Sequence, residues 1–273
     1  MLKILKPDTG GKAYEIAAVE FQSFYKQVTA KELEIISAPD EHSDLIVIGS
    51  DAVNLFSSQM IFKDVIAGFK IRYETDDYHI LSAKSRKRKI LFLAGGRGRS
   101  TIYAVYDFFK RQAGCRYFWD GDIVPRSRKI SIDGLDIAES PRFTYRGLRY
   151  FAHRSLHRFQ AEHWEFEDWK REIDWILKKR LNFFMLRIGQ DDLFQKAFPE
   201  IVKYPSPMKP LAEAVSRSYD DRTLFWSLEY RGKLRKQILQ YAFERDLIHP
   251  EDFGTMTHWY SRTPHDFLEK IKP

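Results

Sequence analysis

Residues 89–114 read KILFLAGGRGRSTIYAVYDFFKRQAG. Lys89 to Ala94 is a short, nearly continuous apolar run of the kind that fills a fully buried strand. Gly95-Gly-Arg-Gly-Arg-Ser100 follows, and from about Thr101 to Gln112 the apolar residues recur at helical spacing, with Gly114 placed where a helix ends. Strand, glycine turn and helix in this order are the repeating element of an α/β layer structure. Upstream, Ile16, Ala17, Phe21, Phe24 and Val28 mark a helix over Ala13 to Val28, and Leu33 to Ser37 and Leu45-Ile-Val-Ile-Gly-Ser50 read as short buried strands. Phe69 to Tyr73 and Tyr78 to Ala83 alternate around the polar Glu74-Thr-Asp-Asp77, which predicts a hairpin. Ile123-Val-Pro125 and Ile130 to Ile132 close the domain, so the first α/β domain is expected over residues 1–138.

Glu139-Ser-Pro141 reads as a linker, and the pattern changes after it. Tyr145 to Ala152 predicts a strand, Trp164 to Lys179 an amphipathic helix, and Leu181 to Ile188 a second strand. Lys233 to Arg245 is a second helix, Phe253 to Tyr260 a third strand, and Pro264 to Ile271 a third helix. This is the period of a parallel (β/α)8 barrel, and a whole barrel takes about 250 residues. Residues 139–273 therefore hold three of its units, and the expected fold class is a small N-terminal α/β domain followed by the first part of a TIM barrel.

The composition sets outer limits. The 273 residues include 45 Lys and Arg against 38 Asp and Glu, a formal charge of +7, with 44% hydrophobic residues, enough for a sizeable core. The densest basic run, Lys84-Ser-Arg-Lys-Arg-Lys89, joined by Arg97 and Arg99, abuts an apolar strand, while the other basic residues are spread among acids. A solvated turn at a strand edge is the reading preferred over polyanion binding, so no nucleic-acid partner is expected. The lone Cys115 excludes an internal disulfide framework and a cysteine-rich zinc site, and His249, His258 and His265 match no metal-ligand spacing. The opening Met1-Leu-Lys-Ile-Leu-Lys is no signal peptide and no apolar run approaches membrane-span length, so the chain as given reads as non-secreted, with no membrane span.

Two segments invite chemistry by position. Gly95-Gly-Arg-Gly-Arg-Ser100, between a strand and a helix, resembles a phosphate cradle, but it fits neither the P-loop nor the dinucleotide pattern, and a tight turn needing positive φ accounts for its glycines as well. Leu181 to Ile188 ends in Gly189-Gln-Asp-Asp192, and polar residues just past the carboxyl end of a parallel strand sit on the ligand face. That makes Gln190, Asp191 and Asp192 candidate site residues, with a helix N-cap by one of the aspartates as the alternative.

Trp169-x-x-Glu172-Ile-Asp-Trp175, then Asn182, Gly189-Gln190 and Gln195, resembles the start of the catalytic barrel of the family 89 glycoside hydrolases, the α-N-acetylglucosaminidases. Pro141-Arg-Phe-Thr-Tyr-Arg-Gly147 resembles the barrel entry of family 20 β-hexosaminidases. Gly-Arg-Gly-Arg-Ser leading into Tyr103-Ala-Val-Tyr-Asp-Phe108 is similar to the small α/β domain that precedes the barrels of families 20, 67 and 89. The likeness runs from about Leu91 to Gln195, and residues 1–80 share it only in domain shape.

The resemblance implies an exo-acting glycosidase for a terminal N-acetylhexosamine or a related sugar, with carbohydrate as its substrate and no cofactor or metal. It assigns Arg146 to hydroxyls of the terminal sugar, with bracing of the barrel floor as the alternative. It sets His153 and Ser155 where family 89 has Asn and Cys in the sugar pocket. Gln190 agrees with the family, and Asp191 replaces its Glu. At the third strand end His258 and Trp259 are candidates for contacting a pyranose, against a packed strand end. The paired carboxyl groups of glycoside hydrolysis fall on later barrel strands in these families, which places them beyond Pro273 and predicts a chain that is silent by itself. The other reading is a non-catalytic carbohydrate-binding or scaffold protein derived from such an enzyme.

Overall fold

The computed structural model describes residues 1–40, 42–127, 129–148, 164–184, 186 and 228–248. They fall into two compact units: one comprises Met1–Arg146 with Glu172–Asn182 and Glu244–Leu247, the other Gly147–Arg171, Phe183–Phe243 and Ile248–Pro273.

The first unit is an α/β layer structure. Its elements in chain order are β1 (Leu2–Leu5), α1 (Lys12–Thr29), β2 (Glu34–Ile36), β3 (Asp44–Ile48), α2 (Leu55–Phe62), β4 (Tyr78–Ser85), β5 (Arg88–Gly95), α3 (Gly98–Gln112), the short hairpin β6 (Arg116–Phe118) and β7 (Gly121–Ile123), and β8 (Asp136–Glu139). Six strands form one sheet in the order β2-β1-β3-β5-β4-β8. The pairs β1–β2, β1–β3 and β3–β5 are parallel, whereas β4 runs antiparallel to both β5 and β8. The register sets Leu5, Val47, Phe92 and Leu81 in one row. With Leu45, Ile90 and the α2 residues Phe56 and Met60 they form one core layer. Alternation along the strands leaves Ile4, Ile46, Leu91 and Leu93, all buried, to the other face.

Each helix follows from its own residues. In α1, Ala13, Ala17, Phe21, Phe24 and Val28 form the buried stripe, and the helix stops at Ala30, whose left-handed φ of 61° lets its N–H reach the Lys26 carbonyl. Phe21 and Phe24 pack their rings against Phe109 of α3, 5.0 and 5.5 Å between centroids. In α3 the run Ile102 to Phe109 is buried throughout, and Gly114 takes a φ of 71° just past the end. Cys115 next to it has no exposed surface.

The expected hairpin over Phe69 to Tyr73 is a correction: that segment is not a strand, and β4 turns into β5 through Arg86-Lys87 instead. Side chains of β4 hold the segment where ladder bonds were expected. The Lys70 N–H donates to His79 Nδ1 (3.2 Å), the Arg72 N–H donates to Asp77 Oδ2 (3.1 Å), and the Phe69 ring enters the α2-side core. Helix α2 was not expected from the sequence; Asn54 starts it by accepting from the N–H groups of Phe56 and Ser57. The basic run forms the β4–β5 turn, with Arg88 donating to the Asp40 carbonyl and Lys89 paired with Asp133. Glu139, read as linker, is the last residue of β8 and pairs with Tyr78.

In the other unit, β9 (Gly147–Leu148) pairs in parallel with β10 (Phe183–Phe184), and Phe183 also makes a parallel bridge to Ile248. Along the chain, helix α4 (Phe166–Lys178) falls between β9 and β10, its residues from Glu172 onward counting with the first unit, and α5 (Leu228–Glu244) precedes Ile248. Trp169 is buried with its ring 6.3 Å from that of Phe184, and Arg235 donates to the Leu186 carbonyl. The expected strand over Phe253 to Tyr260 and helix over Pro264 to Ile271 lie outside the described residues. Among the described residues no helix is long and apolar enough to cross a membrane.

Candidate functional site

The strand–turn–helix at Gly95 to Ser100 is built on close approach. None of Gly95, Gly96 and Gly98 has a positive φ, which corrects the expectation of a turn that needs one. A Cβ on Gly95 would lie 2.3 Å from the Thr101 nitrogen, and one on Gly96 would lie 2.2 Å from the Arg72 carbonyl oxygen. The glycines are there because backbone occupies the space of a side chain. Ser100 Oγ accepts the Arg97 N–H at 3.0 Å and fixes the first turn of α3.

The two arginines of this turn grip carboxylates of the chain itself. Arg97 holds Asp246 through Nε and Nη2 at 2.8 and 3.0 Å, and the Arg99 N–H also donates to Asp246 Oδ2 (3.2 Å). Arg99 Nε donates to Asp76 Oδ1 at 2.6 Å and Nη1 to the Asp246 carbonyl at 2.6 Å. The donors that a phosphate would need are thus occupied by an internal carboxylate at a helix N-terminus, where negative charge is favoured.

Asp76 is the centre of a buried polar network. Its side chain and that of Arg99 are each 4% exposed. Arg146 Nη2 and Asn182 Nδ2 donate to its other oxygen at 2.7 and 2.8 Å. Asn182 in turn donates to the Thr144 carbonyl and accepts the Arg146 N–H, while its own N–H donates to the Arg146 carbonyl. Arg146, expected at a sugar, donates from Nε to the Arg180 carbonyl and from Nη1 to the carbonyls of Phe143 and Thr144, so in this structure its fork is turned to its own chain.

Beside this network opens a cleft of about 280 Å³. Tyr78, Tyr103, Glu139, Arg142, Arg146, Lys179 and Arg180 line it together with Asp76, Ser140 and Pro141. Burial pushes the hydroxyls of Tyr78 and Tyr103 well above the usual tyrosine range, so both stay neutral. Tyr103 donates to the Leu181 carbonyl, and Tyr78 accepts from Arg180. Among the described residues no group of three or more His, Cys, Asp or Glu side chains is arranged to hold a metal ion.

The motif Glu172-Ile-Asp-Trp175 is likewise engaged in packing. Glu172, 3% exposed, accepts from Trp119 Nε1 at 2.7 Å, and Asp174 accepts from Arg245 Nε at 2.9 Å. His153, Ser155, Gln190, Asp191, Asp192, His258 and Trp259 lie outside the described residues. Reading the sequence missed Asp76, Lys179, Arg180 and Asp246. The signal for Asp76 was present as a buried-charge requirement, since two arginines in a turn between buried elements need carboxylates close by.

No family model matches the chain. One curated relative, the human α-N-acetylglucosaminidase, is 21% identical over 104 residues, which are 38% of this chain and 14% of that protein. A family 89 glycoside hydrolase from Clostridium perfringens, solved in complex with 2-acetamido-1,2-dideoxynojirmycin, is similar over 94% of this chain and 26% of its own, with 15% identity and a TM-score of 0.54. The chain resembles the family 89 glycoside hydrolases. The β-hexosaminidase of Streptomyces plicatus, in complex with its product GlcNAc, is similar over 91% of this chain and 40% of its own, with 13% identity and a TM-score of 0.50. The solved structures share the fold, and the chain spans between a quarter and two fifths of their length.

Proposed function

We propose that this chain supplies the small α/β domain and the opening strands and helices of the barrel of an exo-acting glycosidase, specific for a terminal N-acetylhexosamine or a related sugar. The observation that carries this reading is the parallel series β9, β10 and Ile248, with α4 between the first two and α5 before the third. Strand, helix, strand, helix, strand with parallel pairing is how a (β/α) barrel begins. The likeness to the Clostridium perfringens enzyme over nearly the whole chain supports the same reading.

In this proposal the sugar lies against the carboxyl ends of the barrel strands, contacted by His153, Ser155, Gln190, Asp191, Asp192, His258 and Trp259. Hydrolysis takes one carboxyl group as acid and a second as nucleophile or base across the scissile bond. That pair is assigned to none of the residues named here, and the reading rests on sugar binding by the chain.

Calorimetric titration with N-acetylglucosamine tests the reading. Binding that weakens about tenfold in Gln190→Ala and in His258→Ala is the expected result, corresponding to the loss of one good polar contact each. The absence of binding across N-acetylhexosamines and neutral pyranosides would overturn it.

A further inference from the structure

We propose that the cleft beside Asp76 binds the carboxylate or sulfate of an acidic monosaccharide. Four cationic side chains line it, Arg142, Arg146, Lys179 and Arg180, against the two carboxylates Asp76 and Glu139. Both acids already have partners: Asp76 is held by Arg99 and Arg146, and Glu139 pairs with Arg111 at 2.6 Å and with Arg180 at 3.6 Å. Arg142 and Lys179 are exposed and form no ion pair with a described residue.

These two cations are held in place by aromatic rings. The Arg142 guanidinium lies 5.6 Å from the Phe143 ring centre, and the Lys179 ammonium lies 5.7 Å from those of Phe118 and Trp175. A ring face attracts a cation without accepting its hydrogen bonds, so the N–H groups remain available to an oxyanion. The result is an excess of positive charge in a concave site. Its volume, about 280 Å³, lies at the small end of ligand clefts and suits one sugar ring rather than an extended chain. The oxyanion follows from the charges of the cleft alone, whereas the sugar rests on the glycosidase reading.

The test is a titration of the whole chain with D-glucuronate, sodium sulfate and D-glucose, followed by NMR or calorimetry. We expect glucuronate to bind, sulfate to compete with it, and glucose to leave the cleft unoccupied. The double variant Arg142→Glu with Lys179→Glu should weaken glucuronate binding by more than about tenfold. Lys84→Glu with Lys87→Glu, an equal charge change at the β4–β5 turn, should leave it within about twofold, since exposed charges farther than a Debye length are screened. All four side chains are exposed, so circular dichroism should show both variants folded. No glucuronate binding, an equal loss in both double variants, or sulfate binding without glucuronate would each overturn the proposal. N-acetylglucosamine binding that survives in the Arg142 and Lys179 variant shows that the glycosidase reading stands apart from this one.

Discussion

Asp76 shows how a single carboxylate organises the first unit. It is the shared acceptor of Arg99, Arg146 and Asn182, all in a region nearly closed to water. Removing one member of a buried ion pair leaves its partner charged and unsolvated, so Asp76→Ala is expected to lower the unfolding free energy by roughly 3–5 kcal/mol in urea denaturation. Replacing both members, as in Asp76→Leu with Arg99→Met, should lose less than the two single changes added together. His79 makes a second residue-scale prediction. Its ring is 1% exposed, Nδ1 accepts from Lys70, and Nε2 donates to Asp136 at 2.7 Å, a set of partners that defines a neutral ring. Burial depresses its pKa below the ordinary 6.5. The unfolded chain therefore binds the proton more readily, and the contribution to stability is intact above pH 6.5 and is lost as the pH falls from there through the folded pKa. Denaturation midpoints between pH 7.5 and 5 should drop in the wild type and drop less in His79→Gln; parallel curves would show that His79 does not govern the slope.

Elements were legible where periodicity or burial repeats over many residues and illegible where side chains replace the ladder. Helices α1, α3 and α4 carry apolar stripes, α5 buries Leu234, Ile238 and Ala242 beside Arg231 and Arg235, and β3 and β5 are continuous apolar runs; the sequence placed all of these. Phe69 to Tyr73 alternates like a strand, yet its backbone donors go to His79 and Asp77, a tertiary arrangement that no local pattern encodes. Helix α2 escaped notice because its eight residues place apolar side chains at both ends and polar ones between them, with no stripe to read. At the candidate site, Arg97 and Arg99 stood out, whereas Asp246, 147 positions after Arg99, could not be linked to them by spacing. The element-scale prediction concerns the glycine turn. Gly96→Ala would bring a methyl group against the carbonyls of Arg72 and Thr75, both backbone, and should lower the melting temperature by several degrees, while Gly11→Ala, with open space around it, serves as the neutral control.

At the scale of the whole molecule, the first unit is not a contiguous stretch of sequence. Glu172–Asn182 and Glu244–Leu247 belong with Met1–Arg146, and they bring the Asp76–Asn182, Trp119–Glu172 and Arg97–Asp246 contacts with them. A fragment cut at residue 138, where the sequence alone suggests a boundary, would lack all three. Its urea midpoint is expected to fall well below that of the whole chain, whereas an unchanged midpoint would mean that the returning segments add nothing to the unit. Cys115 supplies the means to watch that unit open. It is the sole thiol of the chain, it is fully enclosed, and burial raises its pKa to about 11, so in the native state it is both shielded and protonated. A thiol-reactive dye can therefore label only molecules that have opened at the end of α3, and the rate of dye uptake becomes a clock for that opening, with the protein carrying its own single-site reporter.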